Sequence, residues 1–135
     1  MELQQQFGTK LSFVFRHYPV DTAQPYAEMA AATSEFAAAR GIFWQMQDLL
    51  YQSQERNGTP AFQELAEALG FDGVSLLRDL ELQTFKRRVL VDLHGGSRSG
   101  VTSAPAFYIN NQRYERPIEF KDMSAAIRSA ITSNI

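Results

Sequence analysis

Pro105 stands directly before a short apolar run, Ala106-Phe107-Tyr108-Ile109, which ends at Asn110-Asn111 and returns through Gln112-Arg113-Tyr114. Proline has no N–H to give to a strand ladder, so it belongs at a strand's first position or in the loop before it. The pattern predicts a loop of small residues at Ser103 and Ala104, a strand after Pro105, a tight turn and a return strand. Asparagine tolerates the positive φ that a two-residue hairpin turn requires. A proline beside small residues that admit another backbone is a candidate for a cis Ala104–Pro105 bond.

Only one other segment reads as a strand. Residues 10–15 are rich in Phe, Val and Leu, alternate imperfectly and stop before Pro19, which predicts a largely buried strand over residues 11–15. Between these two places the spacing is helical. Tyr26, Met29, Thr33 and Phe36 form one stripe over residues 25–39, with Pro25 in its first turn and Gly41 at its end. Phe43, Met46, Leu49 and Leu50 form another over 42–54, flanked by Trp44 and Tyr51. A turn at Asn57-Gly58 precedes a helix capped by Thr59 and Pro60, with Phe62, Leu65, Ala66 and Leu69 inside and Gly70 closing it. Asp72 caps the next helix, which should bury Val74, Leu76, Leu77 and Leu80. The pattern runs on through Phe85, Val89, Leu90 and Leu93 after a kink, and Gly95-Gly96 and Gly100 should break it. A last helix over about 119–132 should bury Phe120, Met123, Ala126, Ile127 and Ala130.

Three stretches together resemble the DsbA-like thioredoxin-fold family. Phe13-Val14-Phe15-Arg16-His17-Tyr18-Pro19-Val20 is similar to its strand-to-helix passage. Gly41-Ile42-Phe43-Trp44-Gln45-Met46-Gln47-Asp48-Leu49-Leu50-Tyr51 resembles the signature of its inserted helical domain. Gly96 through Asn110 resembles its cis-proline loop and following strand. The resemblance implies one α/β domain over residues 1–135, with 10–20 and 100–135 as the thioredoxin-like part and about 21–99 as a large helical insertion.

One part of the family pattern is absent from the sequence. A DsbA-like protein begins with a strand and a Cys-x-x-Cys at the start of a helix. This chain opens at Met1-Glu2-Leu3-Gln4-Gln5-Gln6-Phe7-Gly8, which matches the tail of that helix, so the resemblance implies a fold truncated before its first strand. The chain has no cysteine at all. Thiol–disulfide exchange needs a thiolate, so the family's oxidoreductase or isomerase activity is silent in these residues. In the family's fold the absent strand lies between 11–15 and 106–109, which leaves two open edges; the expectation is that the two strands close directly, that something fills the slot, or that the natural product starts upstream.

The remaining composition narrows the function classes. A net charge of −2 and a pI near 5.7 give no electrostatic case for nucleic acid. No apolar stretch nears the roughly 20 residues that span a bilayer, and there is no signal-peptide core, so the expectation is a cytoplasmic chain with no membrane partner. Two isolated histidines give no metal-ligand spacing, and no cofactor or metal is expected.

Few residues invite a functional role. Ala104 and Pro105 would form a backbone docking loop for a peptide, with Ala104 departing from the threonine or valine frequent in the family. Arg16, His17, Pro19 and Trp44 read as the fold's structural signature, His17 anchoring the insertion through hydrogen bonds rather than acting as a base. His94 reads as a helix C-terminal cap. Arg98, among Gly95-Gly96-Ser97 and Ser99-Gly100, lacks a phosphate-loop pattern. Two functions follow: a redox-silent member of the oxidoreductase family, or a non-enzymatic module that binds a peptide, a partner or a second copy through the proline loop and open strand edges. A glutathione-linked enzyme of the kappa type ranks last, because its serine would lie in the absent helix turn.

Overall fold

Seven α-helices and one hairpin make up the regular structure of the computed structural model, which describes residues 2–19, 26–53 and 59–133. The expected proline at 25, the turn at Asn57-Gly58 and Gln54 at the end of the second helix lie outside the described residues. The chain forms two compact units, Met1–Phe15 with Ser103–Ile135, and Arg16–Thr102.

The second unit is all helical: α2 (Ala27–Ala38), α3 (Phe43–Gln52), α4 (Thr59–Ala68), α5 (Gly73–Leu82) and α6 (Lys86–Arg98). Alanines on α2 leave room for α3, α4, α5 and α6 to pack against it. Phe36, Ala37, Met46, Phe62, Leu65, Ala66 and Leu76 form the core. Phe71 meets the Phe36 ring edge to face at 5.8 Å. The Arg40 guanidinium covers the same ring at 3.5 Å and donates to the Phe36 carbonyl, closing the core with a cation–π contact.

Helix ends partition this unit. Asp72 caps α5 by accepting from the Val74 N–H at 3.1 Å. Gln83 then turns the chain left-handed (φ 55), with Thr84 N–H on the Asp79 carbonyl, so the kink expected near 82 is a full break. The break expected at Gly95-Gly96 does not occur. Both glycines are helical, α6 runs to Arg98, and Gly100 (φ 88) ends it, with Val101 N–H on the Gly96 carbonyl and Gly100 N–H on that of Ser97. His94 therefore lies inside α6 on its exposed side, not at a C-terminus. Val74 also departs from expectation: it is 56% exposed, since the α5 core stripe passes through Gly73 and Leu76.

The first unit holds α1 (Glu2–Phe7), a 3-10 turn at Gly8–Lys10, β1 (Phe107–Ile109), β2 (Gln112–Tyr114) and α7 (Phe120–Ser133). The strands pair antiparallel, Phe107 with Tyr114 and Ile109 with Gln112, across Asn110 (φ 49) and Asn111 (φ 69). That is the turn the paired asparagines predict. α7 packs on β1 and α1 and buries Met123 and Ile127, with Ser124 Oγ 3.4 Å from Gln6 Oε1. Phe120 stays 44% exposed.

The expected strand over 11–15 is corrected. Leu11 is extended (φ −121, ψ 124), and burial alternates through residue 15 as in a half-buried strand. Yet the one sheet among the described residues is β1–β2. Local sequence sets extension and alternation; a ladder also needs a neighbouring backbone. The described structure is thus mostly helical with one small two-stranded sheet.

The paired glycines of α6 give opposite expectations. A Cβ on Gly96 would sit 3.0 Å from Tyr18 Cδ1, on a ring whose hydroxyl is held by the Val101 carbonyl at 2.9 Å. A Cβ on Gly95 meets nothing closer than an Arg98 nitrogen at 3.9 Å. Urea unfolding should find Gly95→Ala more stable by about 0.5–1 kcal/mol and Gly96→Ala less stable by about 1 kcal/mol, the crowding outweighing the helix gain.

Candidate functional site

Two places carry the sequence-predicted residues, one in each unit. In the first unit, Ser103, Ala104 and Pro105 form an exposed loop, and the Ala104–Pro105 peptide bond is cis. Ala106 is half-buried and leads into β1, so the loop lies in line with a strand. The loop presents backbone groups and small side chains; it holds no titratable group and no nucleophile beyond the Ser103 hydroxyl.

In the second unit, Arg16 and His17 enter a buried polar node with α2 and α6. His17 is 4% exposed. Its backbone N–H donates to Asp92 Oδ2 at 3.0 Å, and its ring Nε2 lies 2.7 Å from Glu35 Oε1. Asp92 is likewise buried, and its Oδ1 accepts from Arg88 at 2.8 Å and lies 3.5 Å from the Arg16 guanidinium. Phe43 closes the node with its ring against His17, and Trp44 meets Phe43 edge to face at 5.0 Å. Pro19 is half-buried two residues on. Arg16, His17, Pro19 and Trp44 therefore share one unit, and Ala104 and Pro105 belong to the other.

The node is a holding arrangement. Burial pushes the Asp92 carboxyl upward, but the His17 N–H, the Arg88 hydrogen bond and the charges of Arg88 and His17 outweigh it, so its pKa lies below the ordinary aspartate value. The same contact raises Arg88, against a smaller lowering by burial. A histidine on a carboxylate also orients the base of a catalytic triad. Here the ring is sealed from solvent, so no substrate reaches it. Among the described residues no group of three His, Asp or Glu could hold a metal ion. Among the described residues no helix is long and apolar enough to cross a membrane.

The node's partners for His17 went unread in the sequence. Asp92 had a legible signal: it falls with Phe85, Val89 and Gly96 on one side of α6, a carboxylate within an apolar stripe. Glu35 had none, since Phe36 beside it sets the stripe of α2.

The sequence model of the thioredoxin family matches residues 3–129. A Na(+)/H(+) antiporter NhaA 3 of Salinispora tropica is 34% identical over 125 residues, 93% of this chain and 19% of the antiporter. A Na(+)/H(+) antiporter NhaA 1 of Salinispora arenicola is 32% identical over 90% of this chain, and one of Mycobacterium sp. (strain KMS) is 29% identical over 95%. The chain spans about a fifth of the length of the curated relatives it matches. No solved structure matches.

Asp92 generates an acid-stability prediction. A depressed carboxyl pKa stabilises the fold above the ordinary value of 3.8, and that contribution is lost as pH falls through the folded-state value. Asp92→Asn keeps an acceptor for the His17 N–H and should cost about 1–2 kcal/mol at pH 7; Asp92→Ala orphans that N–H and should cost about 2–3 kcal/mol. In urea titrations across pH, the gap between wild type and Asp92→Asn should close below the aspartate range. A gap that persists at pH 2 would mean the charge is not what stabilises.

Proposed function

Because this chain belongs to the thioredoxin family, we propose that its 135 residues form a DsbA-like domain that binds a protein partner without redox chemistry, and that the partner is a Na+/H+ antiporter. The observation that carries this reading is a family match over nearly the whole chain in a sequence without a single cysteine. With no thiolate, thiol–disulfide exchange has no nucleophile within these residues. What the family's framework retains is a recognition element: the exposed backbone of Ser103 and Ala104, in line with β1, suited to an extended segment added as a strand.

The choice of partner is supported by the relatives, which are named as antiporters and are about five times the length of the matched region. A domain that shares a polypeptide with a transporter in several organisms has a transporter within reach. The proposal holds whether the contact is made within one polypeptide or between two.

A second partner is a second copy of this chain. Residues 11–15 start from an extended Leu11, alternate in burial and carry neither charge nor proline, the usual blocks to edge pairing.

The first test pairs two readouts. The chain should reduce or reshuffle a disulfide probe no faster than buffer alone. Adding detergent-solubilised antiporter to the 15N-labelled chain should move the amide signals of Ser103, Ala104 and Ala106. Exchange above buffer, or an antiporter that leaves those amides still, overturns the reading. For the self-pairing alternative, light scattering should give twice 15.2 kDa, reverting to the monomer in Val14→Lys; a wild-type monomer at high concentration removes it.

A further inference from the structure

The net charge of −2 conceals a segregation of charge along α6. That helix holds Lys86, Arg87, Arg88 and Arg98, four of the chain's thirteen lysines and arginines, and a single acid, Asp92. Asp92 is buried beneath the helix, with its charge matched by Arg88 and by Arg16 from the entering segment. The solvent side of α6 therefore carries positive charge alone.

The face is continuous. Positions 87, 91, 94 and 98 fall within about 60° of one another on a helix of 3.6 residues per turn. Arg87, Val91, His94 and Arg98 are all exposed, opposite the side that buries Val89 and Asp92. Lys86 and Arg88 flank the stripe. Among the described residues none of Lys86, Arg87 and Arg98 forms an ion pair. Three cations in a first turn with no acid also oppose the helix dipole, which favours negative charge there. Local stability would select against this arrangement, so an external anionic surface is the better account of it.

We propose that the exposed face of α6 docks on an anionic lipid surface. Charge complementarity selects an anionic partner. Lipid is favoured over an acidic protein by the half-exposed Val91 within the stripe, 55% accessible, and by the reading that the domain works beside a membrane transporter, on which this inference rests. A face of this kind rides on headgroups without entering the bilayer, in keeping with the absence of a membrane-spanning helix among the described residues. It also reverses the expectation of no membrane partner, which rests on the lack of an apolar span; a charged face needs none.

Flotation of the 135-residue chain with protein-free vesicles tests this face separately from any antiporter contact. Vesicles of phosphatidylcholine with about a third phosphatidylserine should bring the chain up at low salt and release it at 0.5 M NaCl, roughly a threefold shorter screening range than at 0.05 M. Pure phosphatidylcholine should not. Each surface cation contributes about a fivefold factor in partition, so Arg87→Gln with Arg98→Gln should weaken it roughly 25-fold, while Lys121→Gln with Arg128→Gln on α7 should leave it intact. Equal binding to neutral vesicles, equal loss in both double variants, or capture by polyglutamate or duplex DNA but not by vesicles overturns the proposal. An antiporter that fails to bind the chain, with vesicle flotation intact, counts against the partner and not against the face.

Discussion

Asp92 holds together the two ends of the helical unit. Its carboxylate sits on α6 and takes the N–H of His17, 75 positions earlier in the chain. One residue on, the Tyr18 ring lies against Gly96 and its hydroxyl donates to the Val101 carbonyl. Residues 16–18 bring the chain into this unit and residues 99–102 take it out, so these contacts close the base of an insertion more than eighty residues long. Closing so long a loop carries an entropic cost that grows slowly with length. A few directional bonds at its mouth are then enough to fix where the helices begin and end.

Burying a carboxylate for that purpose is expensive, and the structure offsets the cost in a specific way. One oxygen faces a backbone N–H and the other faces two guanidiniums whose far sides remain in water. Arg88 and Arg16 neutralise the charge without themselves being stripped of solvent, which keeps the desolvation penalty on one partner rather than two. The neighbouring His17–Glu35 contact spends a second carboxylate on the same segment. A segment with no regular secondary structure is held by acids from two helices, which explains why the Arg-His pair can be structural while looking catalytic.

Much of this is legible in the sequence. The helical stripes through Phe36, Met46, Phe62 and Leu76 and the Asn110-Asn111 hairpin are local patterns, and local pattern is enough to place them. Residues 11–15 were not, because extension is written in the sequence and the ladder partner is not. Gly95-Gly96 misled for the converse reason: glycine as a helix breaker is an average cost of about 1 kcal/mol, and a close approach such as that of Tyr18 overrides it. The proline loop was found from Pro105 and its small neighbours. The acids that hold His17 were not, since they lie 18 and 75 positions away.

A thioredoxin-family chain without a thiol separates what the framework is for from the chemistry usually performed on it. The cysteine-dependent step needs two sulfurs in one helix turn; the node, the helical core and the hairpin need none. Their hydrogen bonds are satisfied, with no orphaned buried side-chain polar atom among the described residues. The described scaffold holds together without a redox centre, and a framework of this kind leaves function to be argued from its surfaces. Two surfaces differ from the average of this chain: an uncharged loop offering backbone, and a helix face offering only positive charge. Under the two proposals they take different ligands, an extended peptide and an anionic plane. A hydrophilic segment of a transporter and the headgroups around it are one environment that supplies both, which is why the two proposals, tested apart, belong to one picture of the molecule.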